Sequence, residues 1–168
     1  MSRILVLPLL LLALAAPVAA ASAAHRPAHR DGTVIRYHGQ ERNARLPLTS
    51  AMIPGAPHSF RVFVRQQLRQ AWDDLGHTPA CKTSPLMVVR ALRTDGYALG
   101  DVGTYPRPGC VTGGGYAAFW AIRHGEWKQV IGTQDVPGCA RLQQVGFPSE
   151  LGVHQCYDGH DVVDYTHA

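Results

Sequence analysis

The residues with the widest chemical reach in this 168-residue chain are four cysteines, Cys81, Cys110, Cys139 and Cys156, and nine histidines. A free thiolate would supply a nucleophile, and a set of thiolates a zinc site, but no C-x-x-C spacing occurs among the four. An even count in an oxidising compartment points instead to two disulfides. Three pairings are possible. Cys81–Cys110 with Cys139–Cys156 is favoured, because each bond then closes a short local segment and restricts the unfolded chain by roughly 3 kcal/mol. The densest group of other metal-ligand types is His154, Asp158, His160, Asp161, Asp164 and His167. These suit zinc or copper by type, but their spacing matches no defined site, so no metal is assigned.

Acid–base chemistry would need convergent carboxylates. Asp101, Glu126, Asp135 and Glu150 are the candidates, with Asp101 foremost and His124 as a partner. Asp135 has a competing role as a helix cap. No G-x-S-x-G elbow is present, and Gly113-Gly114-Gly115 has no following Lys-Ser/Thr, so it reads as a turn or bulge. The aromatics Tyr97, Tyr116, Phe119, Trp120 and Trp127 would line a pocket on a curved sheet or, more simply, form its core. Trp127 opens a strand after a turn, where it would serve as an interaction anchor. These residues assemble into no catalytic or cofactor-binding set.

The compartment is written at the N-terminus. Arg3 gives a positive start, residues 4–16 form a Leu-rich apolar run, Pro17 breaks it, and residues 18–24 are small. This is the pattern of a cleavable secretory signal, residues 1–23, with cleavage after Ala20, Ala21 or Ala23. The apolar run is too short to span a bilayer, which takes about 20 residues. Cleavage after Ala23 leaves 145 residues, enough for one domain. The signal removes one basic residue, so 15 Lys and Arg face 12 Asp and Glu, a net charge of +3. That balance is too mild to argue for nucleic acid. Part of the excess lies in His25, Arg26, His29 and Arg30, read as a flexible linker spanning residues 24–57. The sharper alternative for that basic stretch is a weak anchor to acidic cell-wall polymer or lipid headgroups.

The elements that must position the candidates follow from periodicity. Residues 33–37 predict a short first strand, and 41–57, with three prolines, an irregular segment. Residues 59–75 predict the main helix: Phe60, Phe63, Val64, Leu68, Ala71, Trp72 and Leu75 share one face, and Gly76 follows. Its other face carries Arg61, Arg65 and Arg69 at i, i+4, i+8. Such a stripe would bind an anion or, more simply, be a solvated face on which Asp73 pairs with Arg69. Strands follow at 86–93, 97–102, 116–123 and 127–133, with turns at Asp95-Gly96 and at residues 124–126. Tyr116, Ala118, Trp120 and Ile122 alternate with Ala117, Phe119, Ala121 and Arg123, so this strand is central and covered on both sides. A short helix capped by Asp135 would face Cys139, Leu142 and Val145 inward, and a Cys139–Cys156 bond would fasten it. Residues 159–168 read as a polar, frayed tail. The expectation is a single α+β domain over 58–158, one long helix on an antiparallel sheet of about four strands with a disulfide-fastened C-terminal helical segment.

Several motifs carry a resemblance. They are residues 95–100 (Asp-Gly-Tyr-Ala-Leu-Gly), Cys110, Gly114-Gly115-Tyr116, Phe119-Trp120-Ala121 and Gly125-Glu126-Trp127. Residues 130–135 (Val-Ile-Gly-Thr-Gln-Asp), Cys139, Leu142, Pro148-Ser149 and Cys156-Tyr157-Asp158 complete the set. Over residues 59–158 the chain resembles a family of secreted actinobacterial proteins of unknown function, which implies export but no activity. The helix-then-sheet order is also similar to cystatin-like and nuclear-transport-factor-like α+β folds, an analogy of fold alone. The functional expectation is an exported, disulfide-stabilised binding or interaction module, without enzymatic activity, for a cell-surface or extracellular protein or a small ligand. The alternative is a small extracellular hydrolase or isomerase using pocket carboxylates and His124. A third possibility, an inhibitor or effector, would use residues 104–109 as a projecting loop.

Overall fold

The chain enters its fold through two short strands, β1 (Val34–Arg36) and β2 (Asn43–Ala44), joined by a 3-10 turn at Gly39–Arg42. A non-repetitive stretch leads to the main helix, α1 (His58–Asp74). Four long strands follow: β3 (Pro85–Arg93), β4 (Tyr97–Thr104), β5 (Tyr116–Arg123) and β6 (Glu126–Thr133). The chain closes with α2 (Cys139–Gln144), a 3-10 turn (Ser149–Leu151), and a ribbon of β7 (Gln155–Tyr157) and β8 (Val162–Asp164). The structure, a computed structural model, describes residues 32–74, 84–104 and 114–167. The expected signal, the basic stretch of residues 24–31, Gly76, most of the 104–109 loop, Cys81 and Cys110 lie outside the described residues.

The main sheet has six strands, not about four. Its order is β1-β3-β4-β5-β6, with β2 also paired to β3, and every pairing is antiparallel. The two extra strands are three and two residues long. They come from the segment read as a flexible linker, whose described part belongs to the domain. Tyr37, Ala44 and Ile53 are buried there, and the Ile53 amide donates to the Glu41 carbonyl at 2.8 Å. β1 lies within the short strand expected at residues 33–37, whereas β2, two residues long, shows no period of two; both pair with β3.

Of the α1 face predicted to be apolar, Phe60, Phe63, Val64 and Leu68 are buried and pack on the sheet with Met87, Val89, Ala118, Trp120 and Trp127, Ala71 and Trp72 are half-buried, and Leu75 lies outside the described residues. Phe60 sits at its centre, 4.7 Å from the Trp127 ring and 6.1 Å from Trp120. Each such side chain contributes about 1.5–3 kcal/mol through burial. The opposite face of the sheet is covered by the C-terminal segment. Leu142, Phe147, Leu151, Val153 and Cys156 pack there on Ala91, Leu99 and Phe119. β5 therefore lies between two apolar layers, as its continuous apolar sequence predicts.

The turn signals explain the strand spacing. Gly96 adopts φ +120°, which a side chain rarely tolerates, and lets the β3–β4 hairpin close at Asp95. Gly100 meets a different demand, since an added Cβ would lie 2.0 Å from the Val88 carbonyl oxygen and 2.9 Å from the Trp120 ring.

The Cys139–Cys156 disulfide forms, with the Cα atoms 4.9 Å apart, and fastens α2 to β7. Asp135 does not cap α2. The residue before the helix is Gly138, with no side-chain cap, and the Asp135 amide instead bonds the Thr133 hydroxyl at 3.0 Å. Nor are residues 159–167 a frayed tail. β8 pairs with β7, and buried Tyr165 donates its hydroxyl to the Phe147 carbonyl at 2.7 Å. Among the described residues, no helix is long and apolar enough to cross a membrane.

Candidate functional site

The candidate residues separate onto different parts of the fold. Trp120 and Trp127 lie in the layer under α1, where Trp127 donates its indole N–H to Ser59 at 3.2 Å. Trp127 is thus part of the core and not a surface anchor. Tyr97 and Phe119 face the other side, against Phe147 at 5.8 Å and 5.0 Å. Tyr116 is half-buried near the β6 end, donating to Gln129 at 3.1 Å. The space between helix and sheet is filled by Phe60 and the two indoles.

The carboxylates do not converge either. Asp101 lies opposite Ala117 on β5, whereas Glu126 lies opposite Arg123. Six residues of strand separate them, about 20 Å at a rise of roughly 3.3 Å per residue. Glu126 pairs with Lys128 at 3.4 Å, and His124 sits in the β5–β6 turn at φ +54°. Asp101 is held in a two-pronged ion pair by Arg90, with Nε donating to Oδ2 at 2.8 Å and Nη2 to Oδ1. A β-bulge makes this possible. Val89 pairs with Gly100 and Ala91 with Leu99, which leaves Arg90 unmatched between them.

Glu150 and Asp95 serve a different assembly. Arg93, the one buried charged residue among those described, donates to Asp95 at 2.8 Å and to Glu150 at 2.6 Å. Its guanidinium lies 5.0 Å from the Tyr97 ring centre. Burial disfavours its charge, but the two carboxylates outweigh this and hold it firmly protonated. Glu150 sits in the 3-10 turn after α2, so this pair clamps the C-terminal segment onto the β3–β4 hairpin.

The His/Asp group is spread through the ribbon. The Asp158 carboxylate accepts from the His160 and Asp161 amides at 2.8 and 2.9 Å, which hold its pKa below the usual range. Its position in the β7–β8 turn explains those bonds. No three potential metal ligands come together among the described residues.

What the C-terminal segment does create is a cleft. Beside the disulfide, a space of about 430 Å³ opens between the sheet and residues 136–137 and 152–155. Leu99, Ala117, Phe119 and Val153 give it an apolar lining, and Arg90, His154, Gln155 and Asp164 supply polar groups. The ribbon extends this surface. In the β7–β8 register Gln155 faces Asp164 and Tyr157 faces Val162, so all four project from one face. The Tyr157 amide bonds the Pro137 carbonyl at 2.9 Å, bringing Val136 alongside. Val136, Tyr157 and Val162 are 41%, 45% and 49% exposed, and they are the large apolar side chains left exposed among the described residues. All three lie on or beside the disulfide-fastened segment: Val136 lines the cleft, and Tyr157 and Val162 share a ribbon face with the cleft residues Gln155 and Asp164.

A second cleft, of about 560 Å³, lies between α1 and the segment before it. Leu46, Pro47 and Leu48 form one wall, and Arg65, Arg69 and Trp72 of α1 the other, with Ser84 at the end. No family model, no characterised protein and no solved structure matches this chain.

Proposed function

We propose that this chain is an exported binding module that docks a protein partner outside the cell through the Val136–Tyr157–Val162 face and its adjoining cleft. The observation that carries the reading is the gathering of the exposed large apolar side chains on one segment. Solvating such groups is unfavourable, and a patch rimmed by polar residues marks an interaction surface. The cleft beside it supplies an apolar pocket for an anchoring side chain, the usual centre of a protein–protein contact. Exposed Asp158, Asp161 and Asp164 surround the patch, so the partner should carry basic residues around an apolar anchor. The partner's attraction to this acidic rim sets its orientation more than its affinity.

Export accords with the N-terminal signal, the cystine and the resemblance of residues 59–158 to a secreted family. N-terminal sequencing of exported protein should find Ala21, Ser22 or Ala24 first. The docking surface is tested with Tyr157→Ala and Val162→Asp, changes at exposed positions that should leave folding within about 0.5 kcal/mol of the parent. Affinity capture from culture fluid and cell envelope should yield a discrete partner with the parent protein and lose it with the variants. Retention of the same partner by both variants would exclude this face.

A further inference from the structure

We propose that the cleft between α1 and residues 46–48 is a second binding site, one that takes a monomeric amphiphilic anion, an acyl chain ending in a carboxylate. The argument begins with the arginine row of α1. Arg61 is fully occupied within the fold: its guanidinium donates to the carbonyls of Ala56, Ser50 and Ile53 at 3.3, 3.5 and 3.2 Å. Arg65 and Arg69, one and two turns further on, are exposed and make no hydrogen bond or ion pair among the described residues. The expected Arg69–Asp73 pair is not formed, and Asp74 is engaged by Gln70 at 2.9 Å. Residues at i and i+4 have Cβ atoms about 6 Å apart, so two like charges there repel one another. A bound anion would relieve that repulsion and accept from both guanidinium groups.

The surroundings select the rest of the ligand. No carboxylate lines the cleft among the described residues, and Leu46, Leu48 and Trp72 give apolar surface beside the two cations. The volume of about 560 Å³ falls within the range of about 300–1,000 Å³ typical of small-molecule sites. A concave site with an apolar wall and paired cations fits a single amphiphile better than a flat anionic membrane. The site is separate from the docking face, since the two clefts lie on opposite faces of the sheet.

The test is calorimetric titration of the exported protein with decanoate, with decan-1-ol as the uncharged counterpart. Decanoate should bind one-to-one and the alcohol at least about tenfold more weakly. Arg65→Glu combined with Arg69→Glu should weaken decanoate at least about tenfold, a loss of the size expected for charge-assisted bonds. Lys128→Glu, which makes the same kind of charge reversal at one position on the opposite sheet edge, should leave it unchanged, and circular dichroism melts establish that each variant is folded. Failure of decanoate to bind, equal binding of the alcohol, or binding indifferent to the double variant would each overturn the proposal. Sedimentation with phosphatidylglycerol vesicles in the absence of decanoate binding would also overturn it, assigning the cations to a membrane surface. Loss of decanoate binding in Val136→Asp would place the ligand in the other cleft and likewise refute the assignment.

Discussion

Replacing Cys139 and Cys156 together by alanine should lower stability by about 3 kcal/mol while leaving the native fold in place. The bond spans 17 positions of chain. Closing a loop of that length removes unfolded-state entropy worth about 3 kcal/mol at 25 °C. The folded side changes little, because Leu142, Phe147 and Leu151 still bury completely against the sheet. The buried Cys156 side chain loses only its sulfur, which adds less than about 1 kcal/mol. Thiol reagents would act on every cystine, so the paired substitution is the cleaner perturbation.

Urea unfolding read by tryptophan fluorescence suits the measurement, since Trp120 and Trp127 report from the core. With a slope of about 2 kcal/mol per molar, the midpoint should fall by about 1.5 M with the slope unchanged. A fall below about 0.5 M would show that the bond contributes little. Loss of native near-ultraviolet dichroism would show that the bond, and not the buried Leu142–Phe147–Leu151 layer, seats the segment. Either result would refute the reasoning.

Gly100→Ala should cost more than about 3 kcal/mol or prevent folding, because the new Cβ would meet the Val88 carbonyl at 2.0 Å and backbone cannot yield as a side chain does; thermal melts decide it. Arg93→Ala should cost about 3 kcal/mol by leaving the nearly buried Asp95 carboxylate without its cation. Glu150→Gln should cost at most about 1 kcal/mol, since that side chain is 49% exposed, and equal losses in the two variants would contradict the assignment. Burial pushes the Tyr37 phenol up to about 12, against a smaller opposing pull from Arg61. A raised value in the folded state means that the unfolded chain releases this proton first. Stability from this group is therefore intact below pH 10 and declines as pH approaches 12. Tyr37→Phe should remove that decline and, by deleting a buried hydroxyl with no partner among the described residues, raise stability by about 1 kcal/mol at neutral pH, both read from urea unfolding as a function of pH.

The sequence makes α1 and the four long strands legible because each carries a sustained period, 3.6 for Phe60 to Leu68 and two along β5. The Cys139–Cys156 pairing is equally readable, because both residues fall in one local segment. β1 is readable as the short strand expected at residues 33–37, while β2 escapes because two residues hold no period, and its pairing is decided by contact with β3. The ribbon had a readable signal: Asp158-Gly159 stands between Cys156-Tyr157 and Val162-Val163, the same arrangement as Asp95-Gly96 in the β3–β4 hairpin. The surrounding His and Asp residues mask it, since polar composition at a chain end otherwise suggests fraying.

The candidate site was less accessible for a physical reason. Tyr97, Asp101, Tyr116, Trp120 and Trp127 lie close in sequence pattern, but strand alternation sends Tyr97 to one face of the sheet and Trp120 and Trp127 to the other. The Arg90–Asp101 pair depends on a bulge, which strict alternation cannot foresee. The cleft beside the disulfide joins β4 and β5 to residues 136–155, a contact set by how the C-terminal segment returns over the sheet.

Site-directed photocrosslinking in the producing cell tests the docking face most directly. A benzophenone amino acid placed at Val162 should capture one discrete extracellular or cell-surface protein, and the same group at His124, in the β5–β6 turn, should not. Capture of that protein equally from both positions, or from His124 alone, would contradict a docking surface built on Val136, Tyr157 and Val162.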